Sequence, residues 1–355
     1  MSAVHLPAFV AAYSDSGFTN PHEAARTDAP EDRRGQFTHI GARFWGFETA
    51  RHRGHRVHGT RVRFDPSAHH ELVLRMAAPG RVERVEISTA FFTGNQVPAV
   101  AIDARMDDGD WRCVRERTAL APDRDHALEV TPADAREVRI RCYQEGGIAR
   151  VVLFGTPLPS PAPDPINLLA TATISHVSNE HYGNPAMAVR GVRSEDHMIG
   201  WESARTGFGE RALFSLASPT RCRHLVVDTY LHRLNPPLSC HLFGLPAGID
   251  PDDALAGAPR WTARFDDGTQ EVPDDFAAWM HARADAPEGS AFDVELVNPD
   301  DGPFVPLLPF GALAPDRWHR FALADADPMA HLLFMFYPNG GIHGLALEGE
   351  PQISP

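Results

Sequence analysis

"YQEGGIARVVLFG" (143–155) and "YPNGGIHGLALEG" (337–349) are two versions of one stretch: a tyrosine, a Gly-Gly-Ile turn, then a short alternating apolar run. Working outward, the rest of the chain repeats in the same order. "YSDSGFTNP" (13–21) aligns with "VSNEHYGNP" (177–185), and "FWGFETAR" (44–51) with "MIGWESAR" (198–205). "ISTAFFTGN" (87–95) meets "VDTYLHRLN" (227–235), and "APDRDH" (121–126) returns as "APDRWH" (314–319). An unbroken order of matched segments marks one unit duplicated and then modified by insertion. The first copy carries extra residues around 22–43 and 54–67. The second carries a large insertion at about 244–312.

From Pro157 to Pro165 every second residue is proline. That density excludes regular helix or a central strand and makes a stiff, extended linker. The expected organisation is a first repeat over 1–157, a linker over 158–166 and a second repeat over 167–355. Within each copy the apolar runs are short and alternating, as in "VERVEIST" and "HLLFMFY", and Gly, Pro, Asn and Asp clusters separate them. This pattern predicts an all-β chain of two sandwiches. One helix is expected, "PDDFAAWMHARA" (273–284), inside the second-copy insertion.

Composition narrows the function. The chain has 355 residues, 43% hydrophobic and 23% charged, which is a globular balance. A formal net charge of −14 argues against nucleic-acid or anionic-membrane partners, which select basic surfaces. All the basic side chains apart from histidine are arginine, so lysine Schiff-base and P-loop chemistry are excluded. The start has no charged and apolar signal pattern, and no run is long enough to span a membrane. Cys113, Cys142, Cys222 and Cys240 lack metal spacing and lie in strand-like runs, so free thiols are expected. A cytoplasmic protein acting on a small molecule is the resulting expectation, with no cofactor and with homo-oligomerisation left open.

The matched segments supply the candidate site. "GFETAR" and "GWESAR" each put an aromatic, a carboxylate (Glu48, Glu202), a hydroxyl and an arginine (Arg51, Arg205) within six residues. An arginine fork for a substrate carboxylate beside a glutamate that moves protons is one reading; a surface ion pair beside a core aromatic is the other. His181 is the lone histidine best placed in sequence for proton transfer. His126 and His319 recur after "PDR" and fit a buried structural hydrogen bond equally well. In "RHRGHRVHGTR" (51–61), His52, His55 and His58 are three apart, a period wrong for one face of a strand and only approximate for a helix, so no metal site is expected.

A strand running into "STAFFTGNQVP" (88–98), with "GFETARHR" (46–53), "GWESAR" (200–205) and "YQEGGIARVVLFG" duplicated in one chain, resembles the allantoicase family. The resemblance implies two jelly-roll, galactose-binding-like β-sandwiches and hydrolysis of allantoate to ureidoglycolate and urea. It also implies that the "FFTGN" turn is presented to a polar ligand. Glu202, His181 and Glu48 would then be catalytic, and Arg51, Arg205, Asn95, Thr93, Tyr182, Tyr143 and Tyr337 would bind substrate. Trp45 and Ile199 stand where the family pattern has Asp, and Ala50 and Ala204 where it has a first Arg. These departures imply weak allantoate turnover and a ligand less polar beside Trp45 and Ile199. A diverged enzyme of specialised metabolism and a non-catalytic carbohydrate-binding or other small-molecule-binding sandwich are the alternative readings.

Overall fold

The computed structural model describes residues 3–107, 109–159, 166–191, 193–196, 198–205, 208–273, 276–283, 285, 291–300 and 302–352. The chain forms two compact units, Met1–Asp164 and Pro165–Pro355. Residues 160–165 of the proline-rich linker lie outside the described residues.

The first unit is organised by two long antiparallel strands, His69–Ser88 and Asp125–Tyr143. Each serves both layers of a sandwich. The first half of His69–Ser88 pairs with Ala8–Tyr13, and its second half with Arg150–Pro157. Between the halves sits Pro79-Gly80, and on the partner strand Pro132 falls within a register shift between Glu129 and Ala133. Proline lacks the N–H that a central ladder needs, so the strands bend there and continue in the other layer. Alternate side chains of the long strand, Leu72, Leu74 and Met76, then Val85 and Ile87, point into one core. That inward face is read directly from the period-2 pattern.

The second unit repeats this plan with one break. Glu210–Asp228 is its long strand, but the facing strand is split into Trp318–Ala322 and Met329–Tyr337. Leu332, Phe334 and Phe336 face the sandwich core, while Leu333 and Met335 face the opposite side. There they meet the insertion, whose small sheet of Arg260–Phe265, Gln270–Glu271 and Phe292–Val297 packs through Trp261. The edge strand Val305–Ala312, counted with the insertion in the sequence reading, pairs with Ser239–Leu245 and belongs to the sandwich. The expected helix over 273–284 is shorter among the described residues: Phe276–His281. Its Trp279 indole N–H donates to Glu271, 2.6 Å away, so the small sheet holds it rather than its own length.

All four cysteines are free. No described helix is long and apolar enough to cross a membrane. Because Phe334 is fully buried at the centre of the second core, Phe334→Ala should cost about 3–5 kcal/mol. A urea titration would read this as a lowered midpoint; a loss under about 1 kcal/mol would mean that the core collapses around the gap.

Candidate functional site

Each unit carries a carboxylate held by an asparagine on a Gly-Gly turn, and the two copies match bond for bond. In the first, the strand Phe47–Glu48 pairs with Gly147–Ile148, setting Glu48 opposite Gly147. The Asn95 carbonyl accepts the Gly147 N–H at 2.8 Å, and the Asn95 amide donates to Glu48 Oε1 at 3.4 Å. In the second, Glu202 lies opposite Gly341, whose N–H donates to the Asn235 carbonyl at 3.0 Å. The Asn235 amide donates to Glu202 Oε1 at 2.8 Å. The preceding glycines are shared too: Gly146 N–H donates to Thr49 Oγ1, and Gly340 N–H to Ser203 Oγ.

Glycine is required in both turns. Gly146 and Gly340 hold φ values of +150° and +129°, and a Cβ on either would strike the carbonyl oxygen of Gln96 or Asn235. At Gly147 a Cβ would run into the Phe92 ring, and at Gly341 into the His232 ring. Close approach of backbone to an aromatic ring thus explains the Gly-Gly pair.

The "FFTGN" turn has a structural scaffold of its own. Thr89 Oγ1 donates to the carbonyls of Ala121 and Arg124, and Thr229 Oγ1 to those of Ala314 and Arg317. Asp123 accepts the Phe91 N–H at 2.8 Å, and Asp316 the Leu231 N–H at 3.0 Å. Both donors, Phe91 and Leu231, sit at left-handed φ, +69° and +68°. The carboxylates offset the strain of a side chain there, and the result in both repeats is an asparagine aimed at a glutamate.

The surroundings of the two carboxylates differ. Glu48 is 1% exposed. Arg51 donates to its Oε1 at 3.2 Å, while Oε2 is buried with no hydrogen-bond partner among the described residues. Burial pushes the Glu48 pKa up, against the opposing pull of Asn95 and Arg51. Glu202 is only half-buried. Tyr182 pairs directly across from it, and the His181 main-chain N–H donates to the Glu202 carbonyl at 3.0 Å. The exposed His181 ring lies edge-on to Tyr182, 4.3 Å between centroids.

The other predicted residues are placed as follows. Arg51 turns back onto Glu48 because the strand ends at Glu48 and the chain bends; Arg205 is exposed. Thr93 is exposed at the turn's tip. The Tyr143 hydroxyl accepts from Arg141 at 2.7 Å, and the Tyr337 ring packs against Phe208 and Trp261 beneath the insertion. Trp45 is buried with Phe92 and Ala149 under the Arg33 guanidinium, whereas Ile199 is half-buried. Asn20-Pro21 and Asn184-Pro185 cap short helices. His126 and His319 bond to main chain, and burial lowers the His319 pKa to about 4.

Two residues escaped the sequence reading. His232 is buried against Gly341, beside Glu202 and Asn235. Its signal was available: Phe92 and His232 align in the repeats, and only the second copy has an imidazole there. Glu210 is the other. Ser178 donates to it at 2.5 Å, and it occupies the place that His70 takes beside Ser14 in the first copy. Burial raises the Glu210 pKa to about 7, opposed by the Ser178 and Ser203 hydroxyls.

Fold and site together define a tandem β-sandwich with a duplicated carboxylate–amide site. The Allantoicase repeat family matches residues 1–158 and 164–352, and the chain belongs to the allantoicase family. A probable allantoicase of Nocardia farcinica is 27% identical over 357 residues, covering 95% of this chain and 89% of that protein. The allantoicase of Neurospora crassa is 30% identical over 253 residues, covering 64% of this chain and 68% of that protein. The crystal structure of Saccharomyces cerevisiae allantoicase aligns over 98% of this chain and 93% of its own, with 20% identity and a TM-score of 0.36.

The Glu210 and His70 environments have opposite consequences for stability. Glu210 is raised from 4.5 to about 7 on folding, so its contribution is fully present below pH ~4.5 and lost as pH rises through about 7. His70 is lowered, mainly by burial, so its contribution is present above pH ~6.5 and lost on acidification. Glu210→Gln should therefore raise the melting temperature at pH 8 and flatten its fall between pH 5 and 8. An unchanged pH profile in calorimetry would show that Glu210 is already ionised when folded.

Proposed function

We propose that this protein is an allantoicase-type hydrolase that cleaves a C–N bond of allantoate or a closely related ureido compound. The observation that carries this reading is the Glu–Asn pair built identically in both units. Paired N–H groups of a ureido moiety match a carboxylate, and the asparagine amide orients the carboxyl by fixing one of its oxygens.

Glu202 is the proposed proton-transfer group, because it combines partial exposure with an orienting amide. It would take a proton from water as the oxygen attacks the carbon bearing the ureido nitrogen. The C–N electron pair then leaves with that nitrogen, which the same proton neutralises as urea departs. Tyr182 and His181 border this carboxylate, and Arg205 is the cation available for the substrate's own carboxylate. In the first unit, burial raises the Glu48 pKa, which suits a carboxyl that holds a proton more readily than a solvated one. Membership of the family and relatives named allantoicase support the hydrolase class.

The fully exposed Leu234 beside Asn235 favours a substrate less polar than allantoate. Allantoate kcat/KM is accordingly expected below ~10⁴ M⁻¹s⁻¹, measured by urea release. A value above that returns the plain family substrate. On the best substrate from a panel of ureido and guanidino compounds, Glu202→Gln should lower kcat at least ~100-fold. Turnover near that of the unmodified protein would remove Glu202 from proton transfer, and no turnover across the panel would favour a binding protein.

A further inference from the structure

The histidine-rich segment after Arg51 does something that its spacing concealed. His52 to His55 is a tight turn, closed by the His55 N–H donating to the His52 carbonyl at 3.0 Å. A turn of this kind brings its first and fourth residues to one side, so a spacing of three unites two imidazoles that a strand would place on opposite faces. Their ring centroids are 5.7 Å apart at 88°. His52 adopts φ +66°, an uncommon conformation for a non-glycine residue.

Glu145, from the residue before the Gly-Gly turn, completes the group. Its Oε1 accepts the His52 main-chain N–H at 3.0 Å and lies 3.5 Å from the His52 Nδ1. One nitrogen from each histidine and one Glu145 oxygen all lie within 4.8 Å of one another. The His55 Nδ1 is buried and has no hydrogen-bond partner among the described residues. A buried ring nitrogen left unpaired carries a desolvation cost, and a metal ion would satisfy it.

We propose that His52, His55 and Glu145 bind a first-row divalent transition-metal ion, with zinc the simplest occupant. Two imidazoles and one carboxylate are a borderline-soft donor set that such ions prefer over calcium or magnesium. Ligands about 2.0–2.1 Å from a tetrahedral ion stand roughly 3.4 Å from each other. The His52 ring is 78% exposed and has room to turn as the group closes. Three protein ligands leave one position open to water or a small anion. His58, the third histidine of the run, lies outside the group. The second repeat has no counterpart, for Asn339 stands where Glu145 does and Thr206 follows Arg205 where His52 follows Arg51.

The test uses the full chain, stripped of metal with a chelator and titrated with Zn²⁺ alone by calorimetry and with Co²⁺ alone by visible absorption. One tight equivalent is expected, with the intense ligand-field bands of a four- or five-coordinate Co²⁺ ion. His52→Ala and Glu145→Gln should each weaken binding at least ~10-fold, and His58→Ala should leave it unchanged. The exposed His52 ring can be removed without disturbing the fold, and an unchanged far-UV spectrum checks this. No stoichiometric binding, or binding that survives both His52→Ala and Glu145→Gln, overturns the proposal.

Discussion

The main-chain pairing of Glu48 with Gly147, and of Glu202 with Gly341, is the contact on which both sites depend. It joins a two-residue strand to a turn that only glycine can make, with an aromatic ring seated on the paired glycine. Asparagine approaches from a third segment, its main-chain carbonyl accepting from the glycine N–H and its side-chain amide donating to the glutamate. Three sequence-distant segments therefore meet within a few ångströms. Hydrogen bonds to a charged carboxylate contribute on the order of 1.5–3 kcal/mol each, enough to hold one rotamer in place.

Duplication explains why the scaffold is so alike, and divergence why the two sites are not. The threonine that anchors the turn, the aspartate that holds a left-handed residue and the asparagine that orients the carboxylate are all kept. What changes is the wall. Phe92 becomes His232, His70 becomes Glu210, and Glu48 is buried and bonded to the exposed Arg51 while Glu202 is half-buried. Each change alters charge or dielectric beside a carboxylate without touching the hydrogen bonds that position it. One copy thus holds its carboxyl in a low-dielectric setting that raises its proton affinity, and the other leaves its carboxyl half-exposed.

The insertion in the second unit buries the outer face of Met329–Tyr337 through Leu333 and Met335. Tyr337 is drawn into that contact, and its pKa is pushed up by burial. The first unit has no such cover; there Tyr143 instead hydrogen-bonds Arg141 and lies under Arg117. Equivalent tyrosines are used for local packing in both cases, by different neighbours.

Much of the architecture was legible in the residues alone, because its causes are local. Alternation places Leu72, Leu74 and Met76 on one face whatever surrounds them, and the repeated order of segments implies repeated strands. The motifs also pointed to Glu48, Glu202 and Asn95, but not to what each does. That Asn95 serves Glu48, that His232 covers Gly341, and that Glu210 is a buried carboxyl depend on strands more than 30 residues apart meeting in space. The period reading of His52 and His55 assumed regular structure, whereas the chain turns there and brings the two rings together. Side-chain periodicity is a property of the backbone's own geometry, whereas burial, protonation and ligand grouping belong to neighbours that only the tertiary fold supplies.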